Sequence, residues 1–132
     1  MNVLIGDIGN TNTKICLLDL KTFRIKKIIF FNSNNLVLKK KLKNKFNILF
    51  KKLSITHVAL FSSVVPKYYF ILKKFLKKNY KIKLFEIKDN QINKIVKINV
   101  KNKNQVGSDR ISNAVGVFKK YKSNCIVLDF GT

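Results

Sequence analysis

The sequence has few of the residues that mark linkers, disulfide frameworks and metal sites. Its 132 residues include one proline, five glycines, one histidine and two cysteines. No linker rich in proline, glycine or serine interrupts the chain, and its length suits one modest domain. Cys16 and Cys125 lie far apart inside apolar runs. We interpret both as buried free thiols in a reducing compartment rather than as a disulfide or a metal site.

Long hydrophobic runs are also missing from the sequence. No stretch of about 18 uncharged apolar residues occurs, so we predict no membrane-spanning helix. Asp7 and Gly9 interrupt the first residues, where a signal peptide needs a continuous apolar segment, so we expect a cytoplasmic protein. The hydrophobic content of 46% is ordinary for a globular core and argues against disorder.

Acidic residues are scarce, with 6 against 28 basic residues and a formal net charge of +22. A charge of this size suggests nucleic-acid binding, but lysine supplies 26 of the 28 basic residues and is spread over nearly every segment. Phosphate and base recognition favours the planar fork of arginine. Lysine, asparagine and isoleucine make up 58 of the 132 residues, which is typical of a bias towards A/T-rich codons. We therefore expect only non-specific, salt-sensitive attraction of nucleic acids.

The spacing of apolar residues predicts a mixed sheet of five strands flanked by helices, an α/β fold. Three strands separated by short polar turns come first, and helices and strands then alternate. Strands are predicted at 1–8, 13–20, 23–31, 57–63 and 81–87, with a weaker strand or extended segment at 92–100 and a last strand at 125–129. Helices are predicted at 36–53, from Pro66 onwards and at 108–121.

The third predicted helix begins with a serine that can cap it. Ser108 is the expected cap, and the residues expected to be buried follow at helical spacing: Ile111, Ala114, Val115 and Phe118.

Three of the six acids lie beside glycine at the end of an apolar strand or at the start of a helix. They occur in "GDIGNTNTK", "VGSDR" and "VLDFGT". The first and last share the order strand, aspartate, any residue, glycine, then a turn containing threonine. Such a turn brings backbone N–H groups and hydroxyls around an oxyanion, and the aspartate can hold a cation against phosphates. Glycine lets the backbone approach the phosphates closely.

The motif "VGSDR" places Asp109 and Arg110 side by side at the start of a helix. There a carboxylate can accept a proton from a substrate hydroxyl, and a guanidinium can hold an anionic group. The alternative is that Asp109 only caps the helix and Arg110 only faces solvent. In the motif "SSVVP" we interpret Ser62 and Ser63 as structural residues.

The order of "DIGNTNTK", "SSVVP", "VGSDRISNA" and "VLDFGT" along the chain resembles the type III pantothenate kinases, which belong to the superfamily of acetate and sugar kinases, heat-shock chaperones and actin. The resemblance implies a ribonuclease H-like (actin-like ATPase) domain. It also implies ATP-dependent phosphorylation of the primary hydroxyl of pantothenate to 4′-phosphopantothenate, the first step towards coenzyme A.

The resemblance also implies roles for individual residues. The first phosphate-binding loop for ATP would comprise Asp7, Ile8, Gly9, Asn10, Thr11, Asn12, Thr13 and Lys14, and Thr132 would belong to the second loop. Pantothenate would contact Gly107, Ser108, Asp109 and Arg110, with Asp109 as the proton acceptor. Asp129 would help to bind a monovalent cation, K⁺ or NH₄⁺, and Mg²⁺ would accompany ATP. A homodimer is implied as well.

Members of this family have two similar domains with ATP and substrate between them. On that basis we expect residues 1–122 to form the first domain and 123–132 the first strand and part of the phosphate loop of a second, missing domain. We expect residues 1–132 alone to be inactive. The alternatives are an inactive truncated homologue with a residual phosphate site and a basic RNA-associated protein.

Overall fold

Five strands form one mixed sheet in the computed structural model, which describes residues 1–51, 53–89 and 94–128. The order across the sheet is β3-β2-β1-β4-β5. Strands β1, β2 and β3 pair antiparallel, whereas β4 pairs parallel with both β1 and β5. The predicted α/β, ribonuclease H-like architecture is therefore confirmed. The strands span Asn2–Ile8 (β1), Asn12–Asp19 (β2), Ile25–Asn32 (β3), Ile55–Ser63 (β4) and Lys83–Glu86 (β5).

Three α-helices follow β3, β4 and β5 respectively, which is the predicted order. They are α1 (Lys39–Phe50), α2 (Pro66–Tyr80) and α3 (Ser108–Tyr121), with 3-10 helices at Ser33–Val37 and Lys103–Gln105. Pro66 begins α2, where its missing N–H costs no helical hydrogen bond. The helix predicted at 36–53 is interrupted at Leu38, whose ψ of 86° lies outside the helical range, so a 3-10 turn precedes α1. None of the helices in the described ranges is long and apolar enough to cross a membrane.

One face of the sheet carries the hydrophobic core. Side chains alternate between the two faces along a strand, so Leu4 and Ile8 of β1 point to this face and are fully buried. The helices α1 and α2 cover it, and Phe50 of α1 packs edge-on against Tyr80 of α2 with ring centroids 4.8 Å apart. The other fully buried large side chains of this core include Ile15, Leu17, Phe46, Leu49, Phe61, Leu72 and Leu76.

The second face of the sheet is covered only in part, by α3. Ile111 is buried there, but the prediction that three further α3 residues are buried is wrong in part. Ala114 is exposed, Phe118 is 61% exposed and Val115 is half-buried. The reason is geometric: α3 contacts β4 and buries only residues of its first turns, Ser108 and Ile111.

Two predicted extended segments form no strand in the described residues. Residues 94–100 contain none, and residues 124–128 have no regular structure. A strand needs a neighbour for its backbone hydrogen bonds, and Ile126 is 91% exposed. Cys125 is also exposed, contrary to the prediction, whereas Cys16 is buried as predicted. The part of the last predicted strand at 129, and the whole loop that follows it, lie outside the described residues.

Candidate functional site

A cavity of about 570 Å³ opens between the second face of the sheet and the first turns of α3. Its polar lining comes from three strands and one helix: Asp7, Lys14, Ser62, Asp109, Ser112 and Asn113. Two of the six acids of the chain therefore face one cavity. Two other cavities, both against α1, are lined by apolar, asparagine and lysine side chains without an acid. Of these three cavities in the described part of the chain, the cavity beside α3 is the one lined by carboxylates.

The sheet register explains why three of these side chains are neighbours. Asp7 of β1 pairs with Lys14 of β2 on one side and with Ser62 of β4 on the other. Residues that pair directly across strands point to the same face. The three side chains therefore form a row across the sheet, at the level of the last residue but one of β1. In the preceding row, Ile5 pairs with Cys16 and Leu60, and these residues form the apolar floor of the cavity.

Ser33, a residue that the sequence analysis missed, holds the turn between β1 and β2 by hydrogen bonds. The N–H of Gly9 donates to the carbonyl oxygen of Asn12 at 3.0 Å. Ser33 donates its N–H to the carbonyl of Thr11 and its hydroxyl to that of Gly9, both at 2.8 Å. Since that hydroxyl proton is already used, the Thr13 hydroxyl must be the donor in its 2.8 Å contact with Ser33 Oγ. No sequence pattern connects Ser33 with this turn.

These contacts divide the predicted ATP loop into two groups of residues. Ile8 and Thr13 are fully buried on the core side, so their side chains hold the loop and only their main chain could meet a ligand. Asp7, Asn10, Thr11, Asn12 and Lys14 are exposed, and Gly9 is half-buried. A Cβ at Gly9 would lie 2.9 Å from the Asn12 carbonyl oxygen, so the tight turn requires glycine.

Asp109 lies in the first turn of α3, where the partial positive charge of the helix N-terminus favours a carboxylate. Its Oδ1 is buried and has no hydrogen-bond partner among the described residues. Gly107, directly before the helix, leaves room for this oxygen, because a Cβ there would overlap it. The prediction that Ser108 caps the helix is wrong. Gly107 occupies the N-cap position, and no side chain bonds to the helix start.

Ser108 instead ties α3 to the sheet. Its side chain is almost fully buried, and its hydroxyl donates to Oε1 of Glu86, the last residue of β5. The other oxygen of Glu86 accepts the N–H of Lys88 at 2.7 Å. Glu86 is therefore a second residue that the sequence analysis missed. It is the scarcity of acids that could have drawn attention to it.

The side chain of Arg110 does not line the cavity that Asp109 lines. It is exposed and lines a neighbouring cavity of about 320 Å³ together with Asn113, Ala114 and Val127. Asn113 borders both cavities. The structure thus brings Asp7, Lys14 and Asp109 together in one cavity and places Arg110 in the adjoining cavity. Asp129 and Thr132, the remaining predicted site residues, lie outside the described residues.

Comparison with known proteins agrees with this arrangement of motifs. The profile of the family described as type III pantothenate kinase matches residues 3–132. The chain belongs to the type III pantothenate kinase family.

Two curated relatives in this type III pantothenate kinase family show the extent of the similarity. The type III pantothenate kinase of Pelagibacter ubique is 46% identical over 132 residues, and that of Petrotoga mobilis is 34% identical over 134 residues. Each alignment covers 98% of this chain and 51% of the relative. The chain therefore spans about half the length of the curated relatives it matches. A solved structure described as that of a sugar kinase from Cytophaga hutchinsonii covers 72% of this chain with a TM-score of 0.47 and 13% identity. This similarity is too weak to support any inference about the fold of the chain.

The cavity beside α3 combines charged groups of both signs, Asp7, Asp109 and Lys14. Lys14 lines the cavity, and its Nζ lies 5.4 Å from the centroid of the exposed Phe30 ring. Burial raises the pKa of the neighbouring Cys16 thiol, and the charge of Lys14 opposes this rise. Within residues 1–51, 53–89 and 94–128, no three histidine, cysteine or acidic residues cluster as a metal site. The oxygens of Asp7 and Ser62 suit a hard cation only together with phosphate oxygens.

Proposed function

We propose that the protein transfers the terminal phosphoryl group of ATP to the primary hydroxyl of pantothenate, which yields 4′-phosphopantothenate and starts coenzyme A synthesis. The observation that carries this proposal is the family match over residues 3–132. The cavity supports it, because an exposed Asp7, a lysine and a partly buried Asp109 share it. Family membership gives no support to the alternatives of an RNA-associated protein or an inactive homologue.

Each side chain has a role that its position supports. Lys14 and the turn of Gly9 to Asn12 would hold the phosphates of ATP, and the net charge of +22 would attract both anionic substrates. Asp109 would accept the proton of the attacking hydroxyl, because its Oδ1 has no other partner among the described residues. Arg110, in the adjoining cavity, would hold the carboxylate of pantothenate.

The cations of the reaction are part of the same proposal. Mg²⁺ bound to ATP would meet Asp7, directly or through water, and would neutralise the charge of the phosphates. The site for K⁺ or NH₄⁺ at Asp129, and the contact of Thr132 with ATP, rest on the family resemblance alone. A division of the protein near residue 122, with 123–132 leading into a second domain, is proposed on the same basis.

We also propose a cytoplasmic homodimer. The resemblance supports it, and so does the apolar surface that α3 leaves uncovered, where Phe118 and Tyr121 are 61% and 58% exposed. Light scattering at micromolar concentration would give the mass of the assembly.

The test is the release of ADP and of 4′-phosphopantothenate by the protein at its full encoded length. Asp109→Asn should lower kcat about 10²–10⁴-fold, the usual contribution of a general base, without a loss of folding. Asp89→Asn is the matched control, because Asp89 is an exposed acid outside the cavity. Residues 1–132 alone should give no turnover. Full activity of the Asp109→Asn variant would remove Asp109 as the base.

A further inference from the structure

The hydroxyl of Ser62 is a buried polar group that the fold does not use. The residue is 5% exposed, and its Oγ has no hydrogen-bond partner within the described residues. Buried hydroxyls in folded proteins nearly always have a partner, so an unpaired one calls for an explanation. The second side-chain atom in this condition is Oδ1 of Asp109. Both residues line the same cavity.

The neighbouring serine shows what a structural hydroxyl looks like at this position. Ser63 Oγ donates to the carbonyl of Val65 and accepts its N–H, each at 3.2 Å. This pair of bonds forms the turn that leads from β4 into α2. Ser62 takes no part in that turn, because alternation along the strand points it to the opposite face, beside Asp7. The interpretation of both serines as structural therefore applies to Ser63 only.

The position of Ser62 within the cavity indicates which part of a ligand it meets. On one side it adjoins Asp7, which precedes the turn proposed to hold the phosphates of ATP. On the other side, α3 carries Asp109, the proposed acceptor of the substrate proton. Between a bound nucleotide and an attacking hydroxyl lies the phosphoryl group that is transferred. A neutral O–H donor at this point can bond to a phosphoryl oxygen as its charge develops.

We propose that Ser62 is a phosphoryl-binding residue, whose hydroxyl donates a hydrogen bond to a non-bridging oxygen of the transferred group. This inference rests on the proposed function. In the step itself, the substrate oxygen forms the new P–O bond, and the bond from the γ-phosphorus to the bridging oxygen breaks. ADP leaves with that electron pair, and the substrate proton goes to Asp109. Ser62 keeps its proton throughout, so it acts as a hydrogen-bond donor and not as an acid or a nucleophile.

The proposal predicts opposite effects of one substitution on rate and on stability. Ser62→Ala should lower kcat about 10- to 100-fold and leave the KM for pantothenate within about threefold, because the bond to the transferred phosphoryl group strengthens in the transition state. Its urea midpoint should equal or exceed that of the wild type, because an unpaired buried hydroxyl is removed. Ser63→Ala is the matched control, with a lower urea midpoint and a wild-type kcat. Ser62→Thr, which retains a hydroxyl, should recover part of the rate.

A binding measurement separates this proposal from the proposed function. Inorganic tripolyphosphate, titrated by calorimetry in the presence of Mg²⁺, should bind the wild type more tightly than Ser62→Ala, and no turnover is needed. If the wild type fails to phosphorylate pantothenate but this difference is present, the substrate assignment is wrong and the role of Ser62 stands. Equal tripolyphosphate affinity together with an unchanged kcat, or a Ser62→Ala variant that is less stable than the wild type, would overturn the role of Ser62.

Discussion

Ser108→Ala tests whether a single hydrogen bond positions the proposed catalytic helix. Ser108 is 1% exposed, and its hydroxyl donates to the Glu86 carboxylate at the end of β5. The substitution removes the donor, and one oxygen of a half-buried carboxylate then lacks its partner. Apart from Ser108, Ile111 is the one buried residue of α3 in the described structure. The loss should therefore fall mainly on the first turn of the helix.

The size of the effect follows from the chemistry of this bond. A hydrogen bond to a charged group contributes about 1.5–3 kcal/mol to stability. Glu86 keeps the N–H of Lys88 on its second oxygen and is partly solvated, so the lower half of that range applies. Alanine favours a helix over serine by up to about 0.5 kcal/mol, which offsets part of the loss. The net destabilisation should be about 1–2 kcal/mol, or roughly 3–10 °C in Tm for a chain of this size.

Urea unfolding followed by circular dichroism measures the global effect, and hydrogen exchange measures the local one. We expect the amides of the first turns of α3 to exchange about 5–30 times faster in Ser108→Ala, which corresponds to 1–2 kcal/mol. Ser112→Ala is the control, because the Ser112 hydroxyl bonds only within α3, to the carbonyl of Ser108 at 2.8 Å. It should change stability by less than about 0.5 kcal/mol. In a double-mutant cycle with Glu86→Ala, the coupling energy should be at least about 0.5 kcal/mol. Zero coupling, or wild-type exchange in Ser108→Ala, would refute the reasoning.

Two further predictions concern the site and the response to pH. Gly107→Ala should lower kcat at least about tenfold, because the new Cβ would displace the Asp109 carboxylate. It should cost less than about 1 kcal/mol in stability, because the φ of −64° at Gly107 suits alanine. An unchanged kcat in the ADP-release assay would contradict this. Hydrogen bonds from the N–H groups of Lys21 and Thr22, more than any other contact, lower the pKa of Asp19. The stability that the Asp19 carboxylate contributes is therefore present above the usual aspartate pKa, and it is lost as the pH falls through the lowered pKa. Urea midpoints of Asp19→Asn should therefore depend less on pH on the acid side than those of the wild type, and identical slopes would count against this assignment.

Much of the fold could be predicted from local patterns. The strand at Asn2–Ile8 and the helix from Pro66 have strong apolar periods and clear boundary residues, and both were confirmed. The helix predicted to start at residue 36 was placed too early. The apolar period continues through Leu38, but its backbone turns to ψ 86° where the 3-10 helix meets α1. Periodicity reports which side chains share a face and does not report where the backbone changes its helical pitch.

The errors in α3 have a different origin. Its apolar residues have the spacing of a buried face, yet Phe118 is mostly exposed, and the buried residues of α3 in the described structure are Ser108 and Ile111. Whether an apolar stripe is covered depends on the surface opposite it, and the stripe itself contains no information about that surface. The same limit applies to residues 125–128, which have a strand pattern but no neighbouring strand in the part of the chain that the structure describes.

The sequence by itself determined the family, the order of the elements and which short motifs carry the chemistry. These are local properties, because the aspartates beside glycine and the turn residues that follow them are adjacent in the chain. Only the tertiary structure placed Ser62 in the cavity, and only it connected Ser33 with the β1–β2 turn and Glu86 with the start of α3. Asp7 and Ser62 are more than 50 positions apart in the chain and become neighbours through the register of the parallel pair β1 and β4. Ser108 and Glu86 are 22 positions apart and are joined by a hydrogen bond. Contacts of this kind are decided by how the sheet and the helices pack, so no pattern within a single segment reveals them.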